Sequence, residues 1–263
     1  MTAKANAKKS AAASGPKTNP ASTDTHSQST LTGGGKTALL IGATGATGAE
    51  LLQQLLAHPD YSAVLAFARR PIHCEHPKLS VHLVDFDDVD SWQHLLVGDE
   101  LFSAMGTTLK LAGSKEAQYK VDFTYQLHVA EAARDNEVSR LFLVSSPGAN
   151  AKSRNFYLRT KGELEHAVID LCYDHCVLIK PGLIEAERPE GRVGEKMAGM
   201  ALHKMVKLIP AMHSMTPINA SQLASAIIAI AQSDLKTGTS SFAPGELLEH
   251  VKQDNNQPAP LIP

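Results

Sequence analysis

The most constraining feature of this chain is a run of three glycines at three-residue spacing, Gly42-Ala43-Thr44-Gly45-Ala46-Thr47-Gly48. It lies between a continuous β-type apolar run, Thr37–Ile41, and a stretch of helical periodicity, Gly48–Ala57. Glycines here permit a tight turn out of a strand, close approach of backbone N–H groups to a pyrophosphate, and close packing of helix on strand. Elsewhere such a run would be only a connector. Closing the first strand of a long βα series, it sits where a dinucleotide phosphate is bound. Gly42, Thr44, Gly45, Ala46, Thr47 and Gly48 are the first candidate cofactor residues.

The rest of the body agrees with that start. Ala63–Ala68, Ser80–Val84, Leu101–Met105, Leu141–Ser145 and Cys176–Lys180 repeat the buried-strand signal, with helical stretches between most of them, clearest at Glu116–Ala133 and Lys161–Leu171. Alternation of this kind predicts an α/β fold: a Rossmann-type, doubly wound parallel sheet of about seven strands. After Pro181 the alternation weakens into a glycine-containing loop, a methionine-rich stretch and a helix over Ala220–Gln232. Residues 36–254 are thus expected to form one dinucleotide-binding domain, with 183–254 contributing a small substrate lobe and 255–263 a frayed end.

The first 35 residues are dominated by Ala, Ser, Thr, Lys, Gly and Pro, with four of the chain's 25 basic residues and one of its 27 acidic ones. Such a segment buries too little apolar surface to offset its ordering entropy, so it is expected to be a disordered tail. It has no apolar h-region; it is Ser-rich and acid-poor like an organelle transit peptide, but lacks the arginines. Three cysteines, an odd count, favour a reducing compartment over a disulfide framework, and the expected location is cytoplasmic. A net charge of −2 offers no general attraction to nucleic acid, and no apolar run approaches the ~18 residues of a membrane span.

Chemistry enters at two places. Arg69 and Arg70 end the second strand, 27 and 28 residues after Gly42, where a fold that selects NAD carries an acidic residue for the ribose hydroxyls. Guanidinium groups suit a 2′-phosphate by charge and bidentate geometry, so NADP(H) is expected in preference to NAD(H). Tyr157 and Lys161 stand four apart at a helix start and share one face. A nearby ammonium favours the phenolate and is expected to lower the tyrosine pKa, so that Tyr157 exchanges a proton with a carbonyl oxygen. About a dozen residues earlier, Ser145-Ser146 ends the fifth strand, where a hydroxyl stabilises charge developing on that oxygen.

In their order along the chain, the glycine turn, Gly106-Thr107-Thr108, Val121-Asp122, Ser145-Ser146, Tyr157-x-x-x-Lys161-Gly162-Glu163 and Pro181-Gly182 resemble the short-chain dehydrogenase/reductase superfamily. They are most similar to its atypical branch related to the HIV Tat-interacting protein 30, over about 37–250. The resemblance implies further cofactor contacts at Asp85 and Phe86 beside adenine, at Met105, Gly106 and Thr107, and at Pro181, Gly182 and Leu183 beside the nicotinamide. It gives Lys161 a second role on the nicotinamide ribose, and favours Ser146 over Ser145 as the substrate hydroxyl, with Ser145 either supporting it or contacting the cofactor. Arg188 and Arg192, in a charged loop, are substrate or phosphate candidates. The chain departs from the family in having no Asn on the fourth helix to anchor a proton-relay water, and in Lys180 where relatives often carry Arg.

Two other clusters carry less. Cys172-x-x-His175-Cys176 has ligand types at close spacing but no second cluster, so no metal is expected. Five of the seven methionines, from Met197 to Met215, suggest either core or an adaptable lid over the nicotinamide. The expected activity is NADP(H)-dependent oxidoreduction of a small carbonyl or alcohol by a Tyr/Lys/Ser set. One alternative is an NADP(H)-binding regulator that acts through a protein partner. A nucleotide-sugar epimerase fits less well, because only 82 residues follow Pro181.

Overall fold

The computed structural model describes residues 34–185 and 217–254. Strand β1 (Lys36–Ile41) leads through the glycine turn into helix α1 (Ala46–Ala57), then β2 (Tyr61–Ala68), β3 (Leu79–Leu83) and β4 (Glu100–Ser103). Two short helices follow, α2 (Leu109–Ala112) and α3 (Lys115–Tyr119). A single π-helical turn, Lys120–Thr124, joins α3 to α4 (Tyr125–Asp135). The chain continues with β5 (Arg140–Val144), α5 (Phe156–Asp170), β6 (His175–Ile179) and β7 (Ile184–Glu185). After residue 216 come β8 (Ile218–Asn219), α6 (Ala220–Gln232), β9 (Gly238–Phe242) and α7 (Pro244–Asp254).

Seven strands form one parallel sheet in the order β3-β2-β1-β4-β5-β6-β9, and β7 pairs with β8 in a separate two-stranded sheet. Strand β1 shows why both faces must be covered. Ala38 and Leu40 join the cluster under α1 and α6, while Leu39 and Ile41 join the cluster under α4 and α5. On the first face Leu51, Leu52, Leu55 and Leu56 of α1 meet Leu223, Ile227 and Ile230 of α6. Each such fully buried side chain contributes about 1.5–3 kcal/mol. An amide of Gln54 ties the two helices, donating to the Ser221 carbonyl at 3.0 Å. Helix α6 starts at a capping box of Asn219 and Gln222. Of the stretch expected to contribute a lobe, residues 217–254 thus add two helices and a strand to the body, and 186–216 lie outside the described residues.

The single helix expected over Glu116–Ala133 is instead α3, the π turn and α4. A π turn admits an extra residue and leaves carbonyls to be satisfied otherwise. Buried Gln126 does this, donating to the carbonyls of Val121 at 3.2 Å and Asp122 at 3.0 Å while accepting from the Ser103 hydroxyl at 2.8 Å. The result places Asp122, fully buried, under the loop that follows β4.

The strand order reverses between β1 and β4, because β2 lies on one side of β1 and β4 on the other. Loops leaving the carboxyl ends of these strands therefore diverge and open a crevice, which is where ligands bind in doubly wound sheets. Glycine turn, Arg69, Met105, Ser146 and Pro181 all follow strand ends on that edge.

Candidate functional site

The glycine turn is built so that nothing larger fits. Gly42 has φ of +86°, and a Cβ on it would lie 2.5 Å from the backbone of Ala104 after β4. A Cβ on Gly48 would lie 2.1 Å from the Gly42 carbonyl oxygen. The turn is closed by Gly45 N–H donating to that carbonyl at 2.9 Å. Helix α1 begins at Gly45 with no side-chain cap and no acidic residue in its first turn. Its first N–H groups are left for a ligand at the positive end of the helix dipole, which is the requirement of a pyrophosphate. Thr47 is buried, and Thr44, Gly45 and Ala46 are exposed on the open side.

Arg69 and Arg70 are both exposed at the end of β2, and neither has a carboxylate within ion-pair distance among the described residues. Asp85 is exposed, its carbonyl accepting the Trp92 indole N–H at 2.8 Å. Phe86 is 2% exposed and packs edge-on to Trp92 at 5.5 Å, so its ring is core. Beside it Asp87 pairs with Lys120 at 2.5 Å. That hydrogen bond, first, with lesser help from Tyr125 and the charges of Lys120 and Arg69, holds the Asp87 carboxyl below its usual range. Lys120 and Asp87 had no motif to mark them.

The proton-handling groups gather between β5 and α5. Gly162 makes this possible: a Cβ there would lie 2.3 Å from the backbone of Asn150 and Ala151, so α5 lies directly against the loop leaving β5. Tyr157 on the first turn of α5, 38% exposed, thereby comes near Ser146, whose hydroxyl donates to the Pro147 carbonyl at 3.3 Å. Burial pushes the Tyr157 phenol above its ordinary range, the hydrogen bond with Ser146 draws it down, and the Asp122 carboxylate raises it. The expected lowering by Lys161 does not occur. Lys161, 4% exposed, turns inward, where its Nζ donates to the Val144 carbonyl at 3.3 Å. Burial pushes its ammonium down, opposed by the charges of Asp122 and Glu165.

Ser145 and Ser146 are separated in role by geometry. Ser145, buried, donates to Glu165 Oε1 at 2.5 Å, and Glu165 Oε2 pairs with Lys180 at 2.9 Å. Ser146 faces Tyr157. Asp122 Oδ1 accepts the Thr107 N–H at 2.8 Å and its Oδ2 accepts the Gln118 amide at 3.2 Å. Burial raises its carboxyl, with Lys161, Thr107 and Gln118 pulling the other way. Asp122 thus holds the loop after β4 in place. Glu165 was not singled out in the sequence; its place four residues beyond Lys161, on the same helical face, is the signal that could have found it.

A cleft of about 470 Å³ opens beside this group, bounded by Thr107, Thr108 and Leu109 on one side and by Asn155, Phe156 and Tyr157 on the other. Gly106 is exposed, Met105 and Thr107 are half-buried, Pro181 is buried and Leu183 is 46% exposed. Arg188, Arg192 and the methionines from Met197 to Met215 lie outside the described residues. Cys176 is buried within β6 and Cys172 is exposed, and among the described residues no group of three or more His, Cys, Asp or Glu converges.

With this geometry in view, residues 42–196 match a family described as NAD(P)H-binding. The chain is 37% identical over 166 residues to "Protein fmp52, mitochondrial" of Emericella nidulans, covering 60% of this chain and 71% of that one. It is 31% identical over 225 residues to "Protein FMP52, mitochondrial" of Eremothecium gossypii, covering 84% and 99%. A short-chain dehydrogenase/reductase superfamily protein from Agrobacterium tumefaciens with bound NAD has the same fold, with TM-score 0.59, 12% identity and coverage of 79% and 77%. So has a UDP-N-acetylglucosamine 4-epimerase of Methanobrevibacter ruminantium, with TM-score 0.57, 16% identity and coverage of 80% and 76%. At such identities the likeness is one of fold. The names of the fungal relatives overturn the expected cytoplasmic location: proteins 30–38% identical to this chain are called mitochondrial. An odd cysteine count argues only for reduced thiols, a condition not confined to the cytoplasm.

Proposed function

Because this chain belongs to the NAD(P)H-binding family, we propose that it is an NADP(H)-dependent oxidoreductase of a small, partly apolar carbonyl compound or the matching alcohol. One observation carries this reading: Tyr157, Ser146 and Lys161 converge at the same sheet edge as an uncapped glycine cradle, beside an open cleft. The turn suits a pyrophosphate because the missing Cβ atoms of Gly42 and Gly48 let β1, the Ala104 backbone and α1 pack closely, leaving the uncapped start of α1 open. Gly45, Ala46 and Thr47 would hold the phosphates through backbone N–H groups, and Arg69 and Arg70 would take a 2′-phosphate. When bound, the nicotinamide supplies or accepts hydride.

The chain's own residues do the rest. Tyr157, kept protonated by its partial burial, gives its phenolic proton to the carbonyl oxygen, and the Ser146 hydroxyl steadies the charge arising there. Lys161, one helical turn after Tyr157, holds its ammonium on the Val144 carbonyl, where burial pushes it down against the charges of Asp122 and Glu165. Glu165 fixes Ser145 and Lys180 at the ends of β5 and β6, which sets the floor of the site.

The deciding experiment titrates NADPH and NADH against the protein and then assays a panel of carbonyl compounds with wild type and Tyr157→Phe. Turnover abolished by the substitution, with NADPH binding retained, supports the reading. NADPH binding without turnover of any carbonyl by wild type would favour a binding protein instead. For location, the names of the relatives and the Ser-rich, acid-poor first 35 residues support a mitochondrial destination, with that segment as the address. Fluorescent fusions with and without residues 1–35 test it; cytosolic signal from both would refute it.

A further inference from the structure

A second cleft of about 420 Å³ adjoins the one beside Tyr157, and the two share Lys115 and Phe156. Phe156 precedes Tyr157 in the chain, so whatever lies on its ring lies next to the reacting group. Two cations meet that ring: Lys115 Nζ is 5.8 Å from its centroid and the Arg159 guanidinium is 5.7 Å from it.

Their partners differ. Arg159 donates to the Ser153 carbonyl at 3.1 Å and faces Glu163 at 3.8 Å, an exposed and long ion pair. Glu163 is also engaged by the Tyr119 hydroxyl. Glu116, the acidic side chain of the second cleft, is turned back on its own helix start, bonded to its own N–H and to Ser114. Lys115 has no carboxylate within 4.0 Å among the described residues. An ammonium resting on an aromatic face, with no anion to meet it, is weakly held and free to swing toward one.

We infer that Lys115, with Arg159 in support, is a specificity device, and that the preferred substrate carries an anionic group at the end remote from its carbonyl. The hydrocarbon between them lies along Phe156, with the carbonyl at Tyr157 and the anion at the rim. A carboxylate and a phosphate monoester share the chemistry this rim recognises. The inference rests on the oxidoreductase reading of the same site, and the test keeps the two apart.

The protein loaded with NADPH is assayed with 4-oxo-4-phenylbutanoate against its amide, and with 4-oxo-4-phenylbutyl phosphate against the free alcohol. Calorimetry on the protein loaded with NADP⁺ measures the binding of the same four compounds. Wild type is expected to prefer an acid over its neutral match by about tenfold, the value of one charge-assisted contact, through KM rather than kcat. Lys115→Ala should bring the ratio near one and Lys115→Glu should invert it. Whichever acid shows the larger ratio identifies the anion. Equal binding of acid and neutral match by wild type, or a preference that survives Lys115→Ala, overturns the inference. Acid-selective binding without turnover sustains it and overturns the oxidoreductase reading; turnover of both members of each pair at equal kcat/KM does the reverse.

Discussion

The two edges of the sheet each bury a carboxylate completely, and they neutralise it in opposite ways. At the amino edge Glu100, at the start of β4, accepts from Lys36 Nζ at 2.8 Å, from Arg140, and from the Tyr61 hydroxyl at 2.6 Å. Gln232 of α6 closes the group by donating to that hydroxyl at 3.2 Å. At the carboxyl edge Asp122 receives a backbone N–H and an amide, and the nearest ammonium, Lys161, is bonded to a carbonyl instead. The first arrangement saturates its charge with two direct ion pairs and a hydroxyl hydrogen bond, from three strands, and fastens them together. The second leaves its charges imperfectly matched beside an open cleft, which is the condition for groups that must exchange protons. Buried charge at one edge is a staple; at the other it is a resource.

That contrast can be broken by mutation. Tyr157→Phe should lower kcat by about 10²–10⁴-fold, the range of a lost general acid, with no change in melting temperature and little in NADPH affinity. A variant that retains near-wild-type kcat would remove Tyr157 as the acid. Glu100→Ala should do the reverse. It leaves two cations near the sheet without their carboxylate and should cost about 3–5 kcal/mol in chemical denaturation, with kcat unchanged while the protein is folded. A loss of activity without a loss of stability would show the amino edge to be more than a staple.

Replacing both Arg69 and Arg70 with Ala should weaken NADPH about tenfold or more and leave NADH unchanged, as measured by fluorescence titration. Equal losses for both nucleotides would remove the 2′-phosphate assignment. The smallest effect concerns pH. Burial raises the Asp122 carboxyl in the folded state, so the folded form binds its proton more tightly than the unfolded form does. The stability this confers is present at low pH and is lost as pH rises from the ordinary carboxylate range through the raised value. Denaturation of Asp122→Asn, compared with wild type at a series of pH values, should lack that decline. For Tyr157, raised likewise by burial, carbonyl reduction should stay level through neutral pH, while oxidation of the alcohol should climb with pH.

Much of this was legible along the chain. Helix α6 spans the residues its periodicity indicated, Ala220–Gln232, and the expected strand ends lie within two residues of the observed ones. Such elements announce themselves through apolar runs and caps that act between near neighbours. Strand β9 does not: Gly-Thr-Ser-Ser-Phe has no apolar run, and it is a strand because the free edge of β6 offers it partners from His175↔Gly238 to Ile179↔Phe242. The π turn is equally silent, since the amide that stabilises it and the N–H that Asp122 receives belong to other turns and another loop.

By itself the sequence determined the βα alternation, the glycine turn and the pairing of Tyr157 with Lys161 on one helical face, because backbone sterics and helical period are local properties. Only the tertiary structure decided the rest. It turned Ser145 to Glu165 and Ser146 to Tyr157, aimed Lys161 inward, and brought Lys36 and Arg140 to Glu100 across 64 and 40 residues of chain. The cause is burial: when water is withdrawn, each charge must find its partner wherever packing places one, and sequence separation does not enter that search.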